Sequence, residues 1–490
     1  MNSKSNTIQA FWVAFGSVIS YTFILLSSMI LSRYFTKGDY GTYKQVMYVY
    51  NSLLVVFTLG LPRAYSYFLP RVPLNEAKNT INKITYLFFI LGLLFSMVLY
   101  FGSSIISNIL KNPDLNYALK VFSIVPLFML PTMGVDGILA TFKKSKYIVV
   151  YKGLSALFQL ISVSVPVIFF KGDYLSAIFG FTVSSFLIFI VALYLKNMPV
   201  KNEIKEKTTI SYKDIFKFSI PLLTASLWAI LMNAADQFFI SNYFGKEVFA
   251  EFSNGWLDLP FVSMIVGATS TVLLPVFSKI VNENENAYLQ IKPIWKNTFE
   301  KTVMIIYPLL MYCMVFSENI MIVLYGENYA TSGIFFRFKL LINLFNLIAF
   351  APLMLSLGAT KYYAKSIAYG AIFTVVLNFI FVSIFNTPIV IAIISVLSSF
   401  LVIYLQLLYV AKFLKSSVVE LLSVKLMFSI ISISLPILLI SYYILVKVLE
   451  LNNNLLILTI SLFSYGLVYL LISKKINIDY ISIVKTFIKK

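Results

Sequence analysis

The segment Ser32-Arg33-Tyr34-Phe35-Thr36-Lys37-Gly38-Asp39-Tyr40-Gly41-Thr42-Tyr43 returns, altered, as Ser241-Asn242-Tyr243-Phe244-Gly245-Lys246-Glu247-Val248-Phe249-Ala250-Glu251-Phe252. At a spacing of 209 residues, Ser32/Ser241, Tyr34/Tyr243, Phe35/Phe244 and Lys37/Lys246 are identical. Tyr40/Phe249, Gly41/Ala250 and Tyr43/Phe252 are conservative. Each copy follows an apolar block of helical length. A second match, Lys146-Tyr147 with Lys361-Tyr362, agrees at a spacing of 215, together with Ala156/Ala371 and Phe158/Phe373. Two matches at corresponding places read as a duplicated unit.

The units are built from membrane spans. Apolar residues make up 59% of the 490, against roughly 45–50% in a soluble domain. Only 12% are charged and the mean hydropathy is +0.87. The apolar residues fill whole blocks of about twenty residues, the length that crosses a bilayer core. The blocks fall at 10–31, 46–68, 84–106, 117–140, 148–170, 175–195, 215–240, 250–276, 301–324, 334–357, 366–386, 388–411, 424–447 and 455–473. Only Asn386-Thr387-Pro388 separates the eleventh from the twelfth, so two helices or one kinked helix are both open there. The expected fold is therefore an all-α polytopic membrane protein of about fourteen helices. A six-helix bundle (1–200), a cytoplasmic linker (201–214), a second six-helix bundle (215–415) and two further helices with a cytoplasmic tail (416–490) divide it. Six helices per repeat leave both bundles in one orientation, related by an axis along the membrane normal, with a central cavity expected between them.

Charge orients the chain. Of 39 Lys and Arg, 29 fall at the N-terminus, the even-to-odd connections and the C-terminus, and 10 on the opposite side. Cations accumulate on the cytoplasmic side, so both termini are expected there and the number of spans is expected to be even. In this setting the net charge of +19 reports orientation, with no call for nucleic acid. The first block is read as an uncleaved helix, because no small-residue cleavage site follows it. The polar 196–214 segment is the longest cytoplasmic connection and reads as a hinge between halves.

Several chemistries are missing from the sequence. There is no histidine and one cysteine, Cys313, so a His-based triad, a Cys/His metal site and an internal disulfide are excluded. No Gly-x-x-x-x-Gly-Lys-Ser/Thr loop is present to cradle ATP. No catalytic residue, metal or cofactor is expected, and energy from a proton or sodium gradient is the coupling considered.

Ionisable residues inside spans are costly and line cavities or pair with one another. Arg33 ends the first span and Lys44 opens the second. Gln45, Tyr48 and Asn51 follow, with Tyr48 and Asn51 on the helical face of Lys44; an interfacial belt is the bland alternative. Arg63 follows Gly60-Leu61-Pro62 and reads as a cavity residue or a cytoplasmic anchor. Lys152 opens the fifth span and either reaches a cavity or snorkels. Arg337 and Lys339 open the tenth span, with Asn343 deeper in the same helix. Asp236, in the seventh span, and Asp258, read as a third of the way into the eighth, are the ion-coupling candidates; a structural ion pair is the alternative for each. The set is mainly cationic, which suits an anionic cargo, and phosphate above all.

The arrangement resembles the multidrug/oligosaccharidyl-lipid/polysaccharide exporter superfamily. The likeness rests on Arg33-Tyr34-Phe35 with Asp39-Tyr40-Gly41 and Tyr43, on Gly60-Leu61-Pro62, and on Asp236-Gln237 with Ile240, Phe244 and Gly245. It is most similar to the polysaccharide-transporter branch, the Wzx-type flippases. That resemblance implies two pseudo-symmetric bundles around a cavity. It also implies a function: moving undecaprenyl-diphosphate-linked oligosaccharide units, of O-antigen or capsule type, across the bacterial inner membrane by alternating access. It implies the diphosphate-receiving role for Arg33, Lys44, Arg63 and Lys152. The expected partners are the lipid-linked substrate, membrane lipids, and glycan polymerase and chain-length machinery. A multidrug/cation antiporter or a lipid II flippase of the same superfamily is the first alternative. A membrane glycan polymerase is the second, and the short non-cytoplasmic loops count against it.

Overall fold

The computed structural model describes residues 3–203, 206–283, 286–347, 350–475 and Tyr480. Most of the expected cytoplasmic tail lies outside them. Among the described residues every regular element is a helix. The contacts divide the chain into two compact units, Met1–Ala250 and Glu251–Lys490.

The first unit opens with α1 (Ser3–Tyr34), α2 (Lys37–Thr58), α3 (Pro62–Phe68) and α4 (Leu74–Ile109). It continues through α5 (Asp114–Phe122), α6 (Val125–Met129), α7 (Val135–Thr141), α8 (Lys146–Phe170) and α9 (Tyr174–Asn197), and ends within α10 (Tyr212–Gly255). The expected second span is α2 plus α3, broken where Leu59 and Gly60 take positive φ and Pro62 starts a new helix. The fourth is split into α5, α6 and α7.

Each copy of the repeated segment carries its break at the same position. In the first copy Thr36 is extended (φ −63°, ψ 157°) and caps α2 by accepting from the Asp39 N–H. In the second, Gly245 (φ 81°, ψ −179°) interrupts α10. Positions 36 and 245 are the 209-residue pair, so the match is structural as well as textual. Thr36 reaches its break in the region open to any residue, whereas Gly245 needs the positive φ that glycine tolerates.

The second unit begins with the last residues of α10. It then comprises α11 (Pro260–Glu283), α12 (Ala287–Val315), α13 (Ser317–Tyr325), α14 (Ser332–Asn343), α15 (Ala351–Ser356), α16 (Thr360–Phe385), α17 (Pro388–Phe413), α18 (Val418–Leu421), α19 (Val424–Tyr443) and α20 (Asn454–Lys475). Asn386, with φ 44°, closes α16, and Pro388 is the first residue of α17. The eleventh and twelfth spans are therefore two helices.

Twelve helical segments of the described residues are long and apolar enough to cross a membrane. They correspond to twelve of the fourteen expected blocks. The other two are the seventh, which lies in α10, and the tenth, which is discontinuous: α14 ends at Asn343 and α15 starts at Ala351. Two boundaries also moved. The ninth span starts earlier than expected, with α12 running from Ala287. The eighth starts later, at Pro260, because a residue ahead of proline is pushed out of the helical region. Asp258 consequently sits in the connection before α11 instead of inside the helix.

The 201–211 connection is bound along the start of α4 in its described part. The Glu76 carboxylate accepts from the Thr209 N–H (2.7 Å) and hydroxyl (2.9 Å). Asn79 donates to the Glu206 carbonyl (3.0 Å), and the Lys83 ammonium to that of Ile210 (2.7 Å). Thr80 and Thr208 share a hydroxyl–hydroxyl bond of 2.7 Å. The segment expected as a hinge is thus a strap held on the first unit.

Candidate functional site

In the first unit a cavity of about 310 Å³ lies among α1, α2, α8 and α9, lined by Ser27, Ser28, Tyr43, Lys44, Tyr50, Asn51 and Gln159 with Phe23, Met47 and Leu160. Lys44 is the one charged residue in that lining. Its ammonium lies over the Tyr40 ring, 5.1 Å from the centroid, and no carboxylate pairs with it among the described residues. Tyr50 is buried, its ring stacks on Phe95 (5.7 Å), and its hydroxyl lacks a hydrogen-bond partner among the described residues. A cation and a tyrosine whose hydroxyl has no partner among the described residues therefore belong to one cavity lining, and both suit an acceptor. A buried polar group left without a partner costs about 1–3 kcal/mol, so an anionic or oxygen-rich occupant is the natural complement.

The helical spacing that placed Tyr48 beside Lys44 is not how the side chains divide. Lys44, Met47 and Asn51 line the cavity. Tyr48 turns instead to α10, donating to the Ala234 carbonyl (3.0 Å) and packing edge-on against Phe249 (5.7 Å). Gln45 is fully buried in a polar clasp. Its amide donates to the Ser241 hydroxyl (2.7 Å) and its oxygen accepts from Asn112 (2.6 Å), which also donates to Thr42 (3.0 Å). The clasp joins the two copies of the repeated segment. They approach so closely that a Cβ on Gly41 would lie 2.1 Å from the Lys246 carbonyl oxygen. Lys246 in turn bridges to Asp114 (2.5 Å). Asp236 is buried in the same stretch of α10, two residues after the carbonyl that Tyr48 holds.

The remaining cationic candidates lie outside this cavity. Arg33 is exposed and donates back to the Met29 carbonyl of its own helix (2.8 Å). Arg63 is exposed at the start of α3. Lys152 pairs with Asp136 (3.0 Å) and donates to Ser17 (3.1 Å). In the second unit Arg337 donates to the Ser317 hydroxyl (2.5 Å) and the Met314 carbonyl (3.2 Å). Lys339 pairs with Asp258 at 2.9 Å over the Trp256 ring. Two of the six cations are thus neutralised by carboxylates, and Lys44 alone lines the cavity of the first unit. Asn343 and Asp258 meet in a separate pocket of the second unit.

Sequence reasoning missed Lys196, which it placed in the polar 196–214 cytoplasmic connection. It is fully buried at the end of α9; its ammonium donates to the Tyr65 hydroxyl (2.9 Å), which is also bonded to Thr85 (2.8 Å). Tyr65 and Phe88 present their rings to it at 4.5 and 5.5 Å. No sequence signal separates Lys196 from the lysines beyond it. Asp136, the partner of Lys152, was missed as well; sixteen residues apart in the chain, the two carry no spacing that marks a pair.

The sequence profile of a family described as polysaccharide biosynthesis protein matches residues 30–334, which hold the repeated segment in both copies, the clasp, and Lys44 with the cavity lining outside α1. The chain belongs to this polysaccharide biosynthesis family. No curated protein sequence matches it. Among solved structures, a lipid II flippase, MurJ, in an inward closed conformation superposes with a TM-score of 0.72 at 16% identity, covering 95% of this chain and 98% of that one. An inward-facing multidrug-resistance transporter of the MOP superfamily gives 0.61 at 14% identity, over 81% and 96%. A MOP-superfamily transporter from Pyrococcus furiosus, whose binding pocket is described as of reversed polarity, gives 0.56 at 14% identity, over 84% and 97%. At these identities the likeness is one of fold. This member of the polysaccharide biosynthesis family thus has the helical fold of MOP-superfamily transporters.

Proposed function

We propose that the chain is a flippase for lipid-linked oligosaccharides. In this reading it carries undecaprenyl-diphosphate-linked repeat units, of O-antigen or capsule type, from the cytoplasmic to the outer leaflet of a bacterial inner membrane. Both termini lie in the cytoplasm, as the 29-to-10 distribution of cations supports. The observation that carries the proposal is the Lys44 cavity. Among the described residues Lys44 has no carboxylate partner and the Tyr50 hydroxyl no hydrogen-bond partner, and both residues line this one cavity; a diphosphate supplies oxygens and negative charge suited to both. The family's link to polysaccharide biosynthesis and the transporter fold support the same reading.

The division of labour follows from the chemistry. Lys44 receives the diphosphate, Tyr50 and Asn51 donate to its oxygens, and the polyprenyl chain stays in lipid. Arg33 and Arg63, both exposed, attract the anionic headgroup without holding it. Asp236, buried beside the clasp, is the candidate for a coupling proton or sodium ion. Asp258 already has Lys339 as counter-ion and is set aside for that role. A glycan polymerase and chain-length machinery act on the unit after it emerges. A lipid II flippase would share the basic cavity and is separated by the phenotype below.

Deleting the gene in the producing cell and locating the lipid-linked units tests this. The expected result is loss of surface glycan, with complete units accumulating on the cytoplasmic face. Accumulation on the outer face would point to a polymerase, lost viability with intact surface glycan to a peptidoglycan-precursor flippase, and altered resistance to cationic dyes to a drug antiporter. Each of these three would overturn the proposal.

A further inference from the structure

Three connections expected on the non-cytoplasmic side meet in the first unit: 32–43 after the first span, 109–114 after the third, and 241–246 after the seventh. Their contact is layered. At its exposed edge Lys246 pairs with Asp114 (2.5 Å), the side chains 32% and 48% exposed. Further in, Asn242 donates to the Ile109 carbonyl (2.6 Å). Thr42, Gln45, Asn112 and Ser241, all buried, close the clasp described above. In the sequence α10 opens the second repeat, yet as far as Ala250 its contacts place it in the first unit. The clasp is part of what holds it there. Beside the clasp, five residues before that boundary, Gly245 breaks α10 (φ 81°, ψ −179°), and a Cβ on it would meet nothing within 4 Å.

We propose that the clasp is a latch that opens in each transport cycle, with α10 bending at Gly245. The proposal rests on the flippase reading and adds to it the residues that hold the non-cytoplasmic side shut. Three features carry it. First, the bonds can be exchanged. Hydrogen bonds and an ion pair give way to bonds with water at a small net cost, about 2- to 10-fold in the closing equilibrium for each. The buried amides close in one register only, because each must find its partner again. Second, the break has room. Hinges are a few positions that absorb the backbone change, and a glycine with open space around it bends without displacing a neighbour. Third, the latch adjoins the cavity's cation. Lys44 and Gln45 are consecutive on α2, one lining the cavity and the other held in the clasp, so a shift of α2 on binding cargo reaches the latch directly.

The test uses the full chain with Cys313→Ser, which removes its one cysteine, together with Asp114→Cys and Lys246→Cys. The protein is reconstituted in liposomes carrying a fluorescent undecaprenyl-diphosphate-linked oligosaccharide. A short bifunctional thiosulfonate joins the two new thiols across the latch, and a reductant releases them. Linking is expected to abolish transfer, and reduction to restore it in the same vesicles, so folding and insertion are common to both readings. The second measurement is labelling of Ser241→Cys, in the Cys313→Ser background, by a membrane-impermeant thiol reagent. Ser241 is fully buried, so labelling reports the open latch. Lys246→Ala, which removes the ion pair, is expected to speed it about 2- to 5-fold. Transfer by the linked protein at the rate of the reduced one, or labelling unchanged by Lys246→Ala, would overturn the latch and leave a static clasp, with the flippase reading intact. If the wild type moves no lipid, the flippase reading fails and the latch fails with it.

Discussion

Replacing Lys44 by Met removes the one charge lining the first unit's cavity while keeping the length and apolar stem of the side chain. The structure predicts opposite effects on stability and on transport. The ammonium lies over the Tyr40 ring with no carboxylate beside it among the described residues, so its partial burial carries a desolvation cost that the ring offsets only in part. Methionine removes that cost, and the variant should melt no lower than the wild type. Transport should suffer, because a hydrogen bond to a charged group contributes about 1.5–3 kcal/mol, which corresponds to a fall of about 10- to 150-fold in diphosphate affinity. Lys44→Arg keeps the charge and adds a fork suited to phosphate, so it should retain most activity. The assay is surface glycan per unit of membrane-inserted protein, read together with the cytoplasmic-face pool of lipid-linked units. Export by Lys44→Met at the wild-type rate and at matched abundance would refute the assignment of the cavity to the cargo's anionic group.

Three further predictions concern the frame that positions this cavity. Gly41→Ala drives a methyl to 2.1 Å from the Lys246 carbonyl oxygen; overpacking of this kind costs about 1–3 kcal/mol, read as a lowered melting temperature. The corresponding position in the other copy is Ala250, so the two copies have fixed the contact asymmetrically. Glu76→Gln weakens both bonds to Thr209, and hydrogen exchange across 206–211 should quicken while α8 and α9 are unchanged. Asp214 accepts from the Ser211 hydroxyl (2.6 Å) and N–H (3.0 Å) at the start of α10, and these bonds hold its carboxyl below the ordinary aspartate value. The cap's contribution is therefore complete above the ordinary aspartate range and is lost as the pH falls through the depressed value. Amide protection over 212–216 should follow that course in the wild type and show no such step in Asp214→Asn.

The sequence carried the helical class, most of the membrane-spanning blocks and the internal repeat, because each rests on a long-range pattern. Twenty-residue apolar blocks, a lopsided cation distribution and a twelve-residue match survive local irregularity. The repeat reached as far as the backbone break shared by Thr36 and Gly245. What it could not carry was local. The tenth span is apolar enough to be continuous, yet α14 stops at Asn343. Asp258 left its helix because Pro260 starts α11. Side-chain facing was legible only in part. Lys44 and Asn51 do share the cavity, but Tyr48, equally well spaced, is drawn away by the Ala234 carbonyl. Helical spacing gives a direction; the partner waiting there decides what the side chain does. The same limit hid Lys196, whose burial depends on Tyr65, more than a hundred residues away in the chain.

The most direct test is translocation by the purified protein. It would be reconstituted into liposomes carrying a fluorescent undecaprenyl-diphosphate-linked oligosaccharide, and the arrival of glycan at the opposite leaflet would be followed with a membrane-impermeant glycosidase. The account predicts transfer well above protein-free vesicles, reduced about tenfold or more by Lys44→Met. Transfer by the wild type no faster than in protein-free vesicles would contradict it.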